Sequence, residues 1–253
     1  MGSKLKDIVA YLNTILAVDQ IQDFPNAFNG LQVENNGLVH HIVGAVDASL
    51  ESIDKAIACG ADLLIVHHGL LWSGTHPMVG SWYQLYKKCF DNNLAIYSAH
   101  LPLDLHASLG HNAIICQKLG ASGKASFAEY AGRYIGYTMP WSASRKALCE
   151  ALLQLFPLGY HSLNFGPENP HNVGVLSGSG GASVIQEAQR AGIDTLITGE
   201  LRYSCLAAAQ MANMNVYACG HYATECFGVR ALLESLAQHA NMPTSFIDCP
   251  SDL

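Results

Sequence analysis

Internal repetition is the strongest constraint on this chain. Gly60-Ala61-Asp62-Leu63-Leu64-Ile65-Val66-His67-His68 lies over Gly192-Ile193-Asp194-Thr195-Leu196-Ile197-Thr198-Gly199-Glu200 without a gap, and Val43-Gly44 precedes the first much as Val173-Gly174 precedes the second. Repetition on this scale means one supersecondary arrangement used twice. In the first copy an apolar run, an amphipathic stretch closed by glycine and a second short apolar run read as strand, helix and strand. Two such strands joined through a helix form a parallel βαβ unit. The expected fold is α/β: two related α/β domains with parallel-rich sheets and an internal pseudo-duplication, divided into residues 1–125 and 126–253.

The local signals fill in this plan. Leu5, Ile8, Val9 and Leu12 predict an amphipathic helix that ends before Pro25. Asn29-Gly30-Leu31-Gln32-Val33 is a turn entering a short extended piece, where Asn29 and Gln32 either serve the turn or face a cleft. Val39 to Val46 is predicted as one strand with Asp47 at its end; Leu50, Ile53 and Ile57 mark the next helix, capped by Ser49 and closed by Gly60. Thr75-His76-Pro77-Met78 is a loop, with His76 a loop residue or a group behind any ligands, and Trp82 to Phe90 is a helix. Beyond Pro102 one helix is expected to carry Leu105, Leu109, Ala113 and Cys116 and to close at Gly120. Asp104 then lies near its start, where the helix field favours a carboxylate. Ala121-Ser122-Gly123-Lys124-Ala125-Ser126 is the most linker-like run.

In the second half, Ser142 is expected to cap a helix holding Ala147, Leu148, Ala151, Leu152 and Leu155. Ser177-Gly178-Ser179-Gly180-Gly181 either offers backbone N–H groups to an anion or is a plain tight turn, and it lacks the spacing of the standard phosphate motifs. Val229, Leu232, Leu233 and Leu236 line a last helix, followed by a short extended piece around Phe246 and Ile247.

Half of the 253 residues are hydrophobic, enough for a substantial core. The 13 Lys and Arg against 20 Asp and Glu give a formal net charge of -7 without a basic run, which argues against a nucleic-acid partner. Only 13% of residues are charged, so part of the surface is expected to be buried between copies of the chain. Met1-Gly2-Ser3-Lys4 does not open a signal peptide, and no apolar span reaches about 18 residues, so the expectation is a soluble, cytoplasmic protein with no membrane partner. The 8 cysteines are scattered with no Cys-x-x-Cys, and read as reduced thiols that mostly fill the core.

Chemistry gathers at the strand ends. The run Leu63 to Val66 ends in His67 and His68; Ala95-Ile96-Tyr97 opens into His100-Leu101-Pro102-Leu103-Asp104; Val216-Tyr217-Ala218 opens into Gly220-His221-Tyr222-Ala223-Thr224-Glu225. Open α/β sheets bind ligands beyond the carboxyl ends of their strands. Adjacent histidines alone are as often structural as functional, but imidazoles and carboxylates on three strand ends are metal-ligand chemistry. His100 and Asp104 have the same spacing as His221 and Glu225, which extends the repeat.

Taken together, the His-His pair, His-x-x-x-Asp, Gly199-Glu200 and Gly-His-x-x-Thr-Glu resemble the pattern of the GTP cyclohydrolase I type 2 homologues, a family named after a transcription-factor-interacting protein of yeast. The resemblance covers nearly the whole chain and matches the short bacterial form, without the domain that longer members insert. It implies a paired metal site with His67, His68, Asp104, His221 and Glu225 as ligands, and a ring-like homohexamer. Two departures stand out: Gly69 replaces a proline of many members, and Leu201-Arg202-Tyr203-Ser204 lacks a histidine seen in many relatives.

The residue types agree with that implication. Three imidazoles and two carboxylates serve two divalent ions if one carboxylate bridges and waters complete both shells. Glu225, one helical turn beyond His221, is the bridge candidate. Without a thiolate in the set, the metal is zinc, manganese or iron. His100 and Glu200 are assigned as a general acid/base or as hydrogen-bond partners of the ligands. Three functions fit: a metal-dependent hydrolase acting on a nucleotide or related heterocycle; a metal store or insertion factor; and an interaction protein whose ions are structural.

Overall fold

Strand Leu63–His68 lies between strands Ile42–Asp47 and Ala95–Ser98 and runs parallel to both. The structure, a computed structural model, describes residues 2–72, 74, 76–121 and 123–251. Thr75 of the predicted loop and Ser122 of the linker-like run lie outside the described residues, as do Met1, Asp252 and Leu253. Two compact units make up the chain: Met1–His106 with Gly228–Cys249, and Ala107–Phe227 with Pro250–Leu253. Among the described residues no helix is long and apolar enough to cross a membrane.

The first unit holds a five-stranded sheet in the order Thr244–Phe246, Ile42–Asp47, Leu63–His68, Ala95–Ser98, Gly30–Val33, with only the last strand antiparallel to its neighbour. Val43, Leu64, Val66 and Ile96 meet Ile53, Ala56, Leu85 and Cys89 of helices Leu50–Ala58 and Gly80–Asp91 in one core. Ser49 caps the first of these helices in a reciprocal exchange with Ser52, satisfying two backbone donors at once. The strand expected from Val39 to Val46 is instead two, Leu38–Val39 and Ile42–Asp47. Between them the backbone N–H groups of His40 and His41 both donate to Asp62 Oδ2, at 2.6 and 3.1 Å, and so leave the ladder. Because strand Thr244–Phe246 pairs with Ile42–Asp47, Gly228–Cys249 groups with the first unit, and the division falls elsewhere than between residues 125 and 126.

The single helix expected beyond Pro102 is broken into Leu101–Asp104 and His111–Lys118. Gly110, in extended conformation (φ -66, ψ 147), starts the second of these afresh.

The second unit holds six strands in the order Ala125–Tyr130, Arg133–Pro140, Asn172–Leu176, Thr195–Thr198, Asn215–Ala218, His161–Asn164. Asn172–Leu176, Thr195–Thr198 and Asn215–Ala218 are parallel and are flanked on both sides by antiparallel strands. Side chains alternate across this sheet. Leu196 and Val216 meet Ile185, Ala188, Cys205 and Ala209 of helices Gly181–Arg190 and Cys205–Ala212. Ile197 and Tyr217 meet Ile115, Leu148 and Leu152 on the opposite face. The cap of helix Arg145–Leu155 is Ser144, whose oxygen accepts from the Ala147 N–H, and not Ser142. Ala125 and Ser126 belong to a hairpin and not to a linker.

The duplication is visible bond by bond. Val66 is paired with Ala45 and Ser98, and Thr198 with Leu176 and Ala218. Asp194 Oδ2 accepts the N–H groups of His171 and Asn172 at 2.8 and 3.3 Å, repeating the work of Asp62. At one point the sequence spacing misleads. Asp104 N–H donates to His100 O where Thr224 N–H donates to Gly220 O, and the preceding N–H groups, of Ala99 and Cys219, go to Val66 O and Thr198 O. The counterparts of His100 and Asp104 are therefore Gly220 and Thr224, and His221 and Glu225 stand one residue further along.

Candidate metal centre

In the first unit three imidazoles are each fixed through Nδ1. His67, fully buried, faces the Ala99 carbonyl oxygen at 2.9 Å; a carbonyl only accepts, so Nδ1 carries the proton and Nε2 the lone pair. His68 Nδ1 donates to Asp47 Oδ1 at 2.8 Å, and His100 Nδ1 to Asp23 Oδ1 at 2.8 Å. The three rings are neighbours, with centroids 4.8 Å apart for His67 and His68, 4.8 Å for His67 and His100 and 5.7 Å for His68 and His100. One nitrogen of each lies within 4.8 Å of the others, a spacing that a single ion can close. Asp104, also buried, brings Oδ2 to 3.6 Å from His67 Nε2. An imidazole whose second nitrogen is held by an oxygen is the usual form of a metal-binding histidine.

Asp23 organises the His100 side of this cluster. Its Oδ1 accepts from Phe24 N–H at 2.7 Å and from His100 Nδ1, while Oδ2 accepts from Asn29 Nδ2 at 2.7 Å and Leu101 N–H at 3.0 Å. Burial raises the Asp23 pKa, but the bonds from His100, Asn29 and Phe24 outweigh it, and the carboxyl stays below its usual range. For His100 burial wins: its pKa falls to about 4, helped by His67 and His68, so the ring is neutral at pH 7. Asn29 faces this site, since its Oδ1 accepts the His100 N–H at 2.7 Å. Gln32 does a structural task, its Oε1 accepting from Leu70 N–H at 2.6 Å and Leu71 N–H at 3.2 Å.

In the second unit the functional groups meet at the start of helix His221–Ala240. His221 Nε2 lies 3.1 Å from Glu225 Oε2, and Nδ1 is hydrogen-bonded to Glu200 Oε1. Burial lowers the His221 pKa, yet the two carboxylates together overcome it and raise the pKa to about 9. Metal-free His221 is therefore an imidazolium, hydrogen-bonded through Nδ1 to Glu200 and ion-paired through Nε2 with Glu225. A divalent ion taking the place of the Nε2 proton is the exchange such a pair permits. Glu225 is buried, and the chain passes over it at Gly178. A Cβ on Gly178 would lie 2.3 Å from Glu225 Oε1, and its φ of +65 is one that side chains rarely adopt.

The structure thus brings His67, His68, His100 and Asp104 together in the first unit, and Glu200, His221 and Glu225 in the second. These imidazoles and carboxylates, buried at His67, His100, Asp104 and Glu225 and half-buried at the others, could hold metal ions, and they offer no thiolate. The sequence reading missed Asp23, Phe24 and Trp72. The Trp72 ring lies 4.5 Å from His100 and 5.5 Å from His68, and Phe24 lies 5.6 Å from His100. No periodicity marks any of the three. The position of Asp47 at the end of its strand is the sequence signal for its bond to His68.

Comparison with known proteins agrees over the full length. The family model described as Duf34/NIF3 (NGG1p interacting factor 3) matches residues 3–252. The GTP cyclohydrolase 1 type 2 homolog of Archaeoglobus fulgidus is 37% identical over 249 residues, 98% of this chain and 99% of its own. That of Salmonella typhimurium is 37% identical over 250 residues, again 98% and 99%. The solved structure of protein ybgI, described as of unknown function, is similar with a TM-score of 0.89 and 33% identity, covering 99% of this chain and 100% of that one. TTHA1606 from Thermus thermophilus has a TM-score of 0.88 and 31% identity with the same coverage.

Proposed function

Because this chain belongs to the Duf34/NIF3 family, we propose that it is a metal-dependent hydrolase that holds two divalent ions and acts on a nucleotide or related heterocycle. The observation that carries this reading is the set of three clustered imidazoles, each with Nδ1 fixed by an oxygen. Zinc, manganese or iron so held supplies a Lewis acid and a water activated for attack at neutral pH.

The chain's own residues take separate parts. His67, His68 and Asp104 in the first unit and His221 and Glu225 in the second are the proposed ligands, with Glu225 as the bridge. His100, neutral and with its Nδ1 proton fixed by Asp23, accepts a proton at Nε2 and returns it to the leaving group. Glu200 holds the His221 ring through Nδ1 and sets the direction of Nε2. A cytoplasmic homohexameric ring, which the resemblance in sequence pattern implies, is the proposed assembly.

GTP is the first substrate to test, with attack at C8, ring opening and release of formate. Metal-loaded protein incubated with GTP is expected to release formate and a product of the corresponding mass. Full metal content with no turnover on zinc, manganese or anaerobic ferrous iron would instead favour metal storage or insertion.

A further inference from the structure

The sheet of the first unit carries other chemistry at the end remote from His67 and His68, where strands Ile42–Asp47 and Thr244–Phe246 begin side by side. His41 stands just before the first of these strands, and its ring is held at both nitrogens. Nδ1 faces the Cys59 carbonyl oxygen at 3.2 Å, and Nε2 faces Ser245 Oγ at 3.1 Å. A carbonyl only accepts, so in the neutral ring Nδ1 carries the proton and Nε2 the lone pair. The Ser245 hydroxyl therefore donates to His41, which is how a serine nucleophile sits on its general base.

The third member of this arrangement is a helix end. Cys59 is the C-cap of helix Leu50–Ala58, and the chain closes there with Gly60 N–H on Ile57 O and Ala61 N–H on Ala56 O. Its carbonyl lies at the negative end of the helix, which favours positive charge on a neighbouring imidazole. An imidazolium formed when His41 takes the serine proton is stabilised there, the task that a carboxylate performs in a triad.

Strand Thr244–Phe246 is an edge of the sheet. Ile42 N–H bonds to Pro243 O and Ile247 N–H to Gly44 O, so Pro243, Ser245 and Ile247 turn their main-chain groups toward the neighbouring strand and Phe246 turns its N–H outward. The N–H of the residue after a nucleophilic serine is a recurrent donor to the oxyanion formed on attack. Ser245 is exposed and His41 half-buried, so a small substrate reaches the hydroxyl directly.

We propose that Ser245 and His41 form a nucleophilic pair that takes the acyl group from activated esters of small acids. Ser245 Oγ bonds to the ester carbonyl carbon, its proton passes to His41 Nε2, and the alcohol or phenol leaves with that proton as its carbon–oxygen bond breaks. Water then attacks the acyl-serine, His41 Nε2 takes the water proton and returns it to Ser245 Oγ, and the free acid departs. The cycle uses no group of the metal centre, so its outcome and that of the hydrolase reading are independent.

The test uses the full chain freed of metal by chelator, with p-nitrophenyl acetate as probe. The protein is expected to release p-nitrophenol and, after acid quenching, to carry an acetyl group on Ser245 by peptide mass spectrometry. Ser245→Ala should abolish that label, and His41→Gln should slow release on the order of a hundredfold, the scale of losing a general base. Thermal melts establish that both variants are folded. Acetyl groups on lysine, cysteine or the amino terminus but not on Ser245 overturn the pair. So does unchanged release in folded Ser245→Ala or His41→Gln, and so does a Ser245→Ala protein that differs from wild type only by melting earlier, which would make the bond a fastening of the edge strand alone.

Discussion

Asp47 and His68 are partners across two neighbouring parallel strands, and Asp47 Oδ1 accepts the His68 Nδ1 proton at 2.8 Å. The carboxylate fixes the ring so that only Nε2 is left for a metal. Asp47→Ala is expected to weaken metal binding by about tenfold or more while the fold is kept, the usual effect of removing such a partner. Competition with a chromophoric chelator measures it; unchanged affinity would show that Asp47 serves the strand end alone.

The two carboxylates around His221 make metal uptake pH-dependent. In the metal-free protein His221 keeps its proton up to about pH 9, and a ligand must be neutral to bind. Uptake at pH 7.5 should therefore release close to one proton from this residue, and affinity should rise with pH until about 9. Calorimetry in buffers of different ionisation enthalpy counts the protons. Glu200→Gln removes one of the two carboxylates, so proton release should fall and the rise in affinity should shift to lower pH.

If Glu225 bridges, Glu225→Ala empties both metal positions, whereas Asp104→Ala chiefly weakens one. Metal analysis after purification without chelator distinguishes the two. A Glu225→Ala protein that still holds two ions per chain removes the bridging role, and a wild-type protein that stays metal-free after reconstitution removes the site.

Hairpin Ala125–Tyr130/Arg133–Pro140 turns on Ala131 and Gly132, with φ of 49 and 76. Two positive φ values are what a two-residue turn between antiparallel strands requires, and asparagine is at home there where alanine is strained. Ala131→Asn should stabilise the protein by about 0.5–1 kcal/mol. Urea unfolding would show this as a higher midpoint at unchanged slope.

This hairpin also shows where the sequence falls silent. Its strands carry Ser126, Glu129, Arg133 and Thr138 among their apolar residues, its turn lacks the Asn-Gly signal, and its outer strand lies at a sheet edge. By contrast, the Leu63–Val66 run is buried on both faces and announces itself. The site divides the same way. His67 and His68 are legible because they end a visible strand. Asp23 is not, because it reaches His100 from 77 positions away in a stretch without period. The equal spacing of His100 to Asp104 and His221 to Glu225 suggests one repeat, but position in the repeat is set by the ladder and the first helical turn. These put His221 one residue out of step.

The strand Thr244–Phe246 has a consequence for the order of synthesis. It closes the first unit's sheet against Ile42–Asp47, with Ile42 N–H bonded to Pro243 O and Ile247 N–H to Gly44 O. Gly44 itself lies under Leu233 and Val229; a Cβ there would come within 2.7 Å of Leu233. A nascent chain thus finishes its second unit's six strands while the edge of Ile42–Asp47 and the cover over Gly44 are still unmade. The sheet begun first therefore stays open at this edge until residues 229–247 arrive, and an unpaired strand edge is a site for mispairing in the nascent chain.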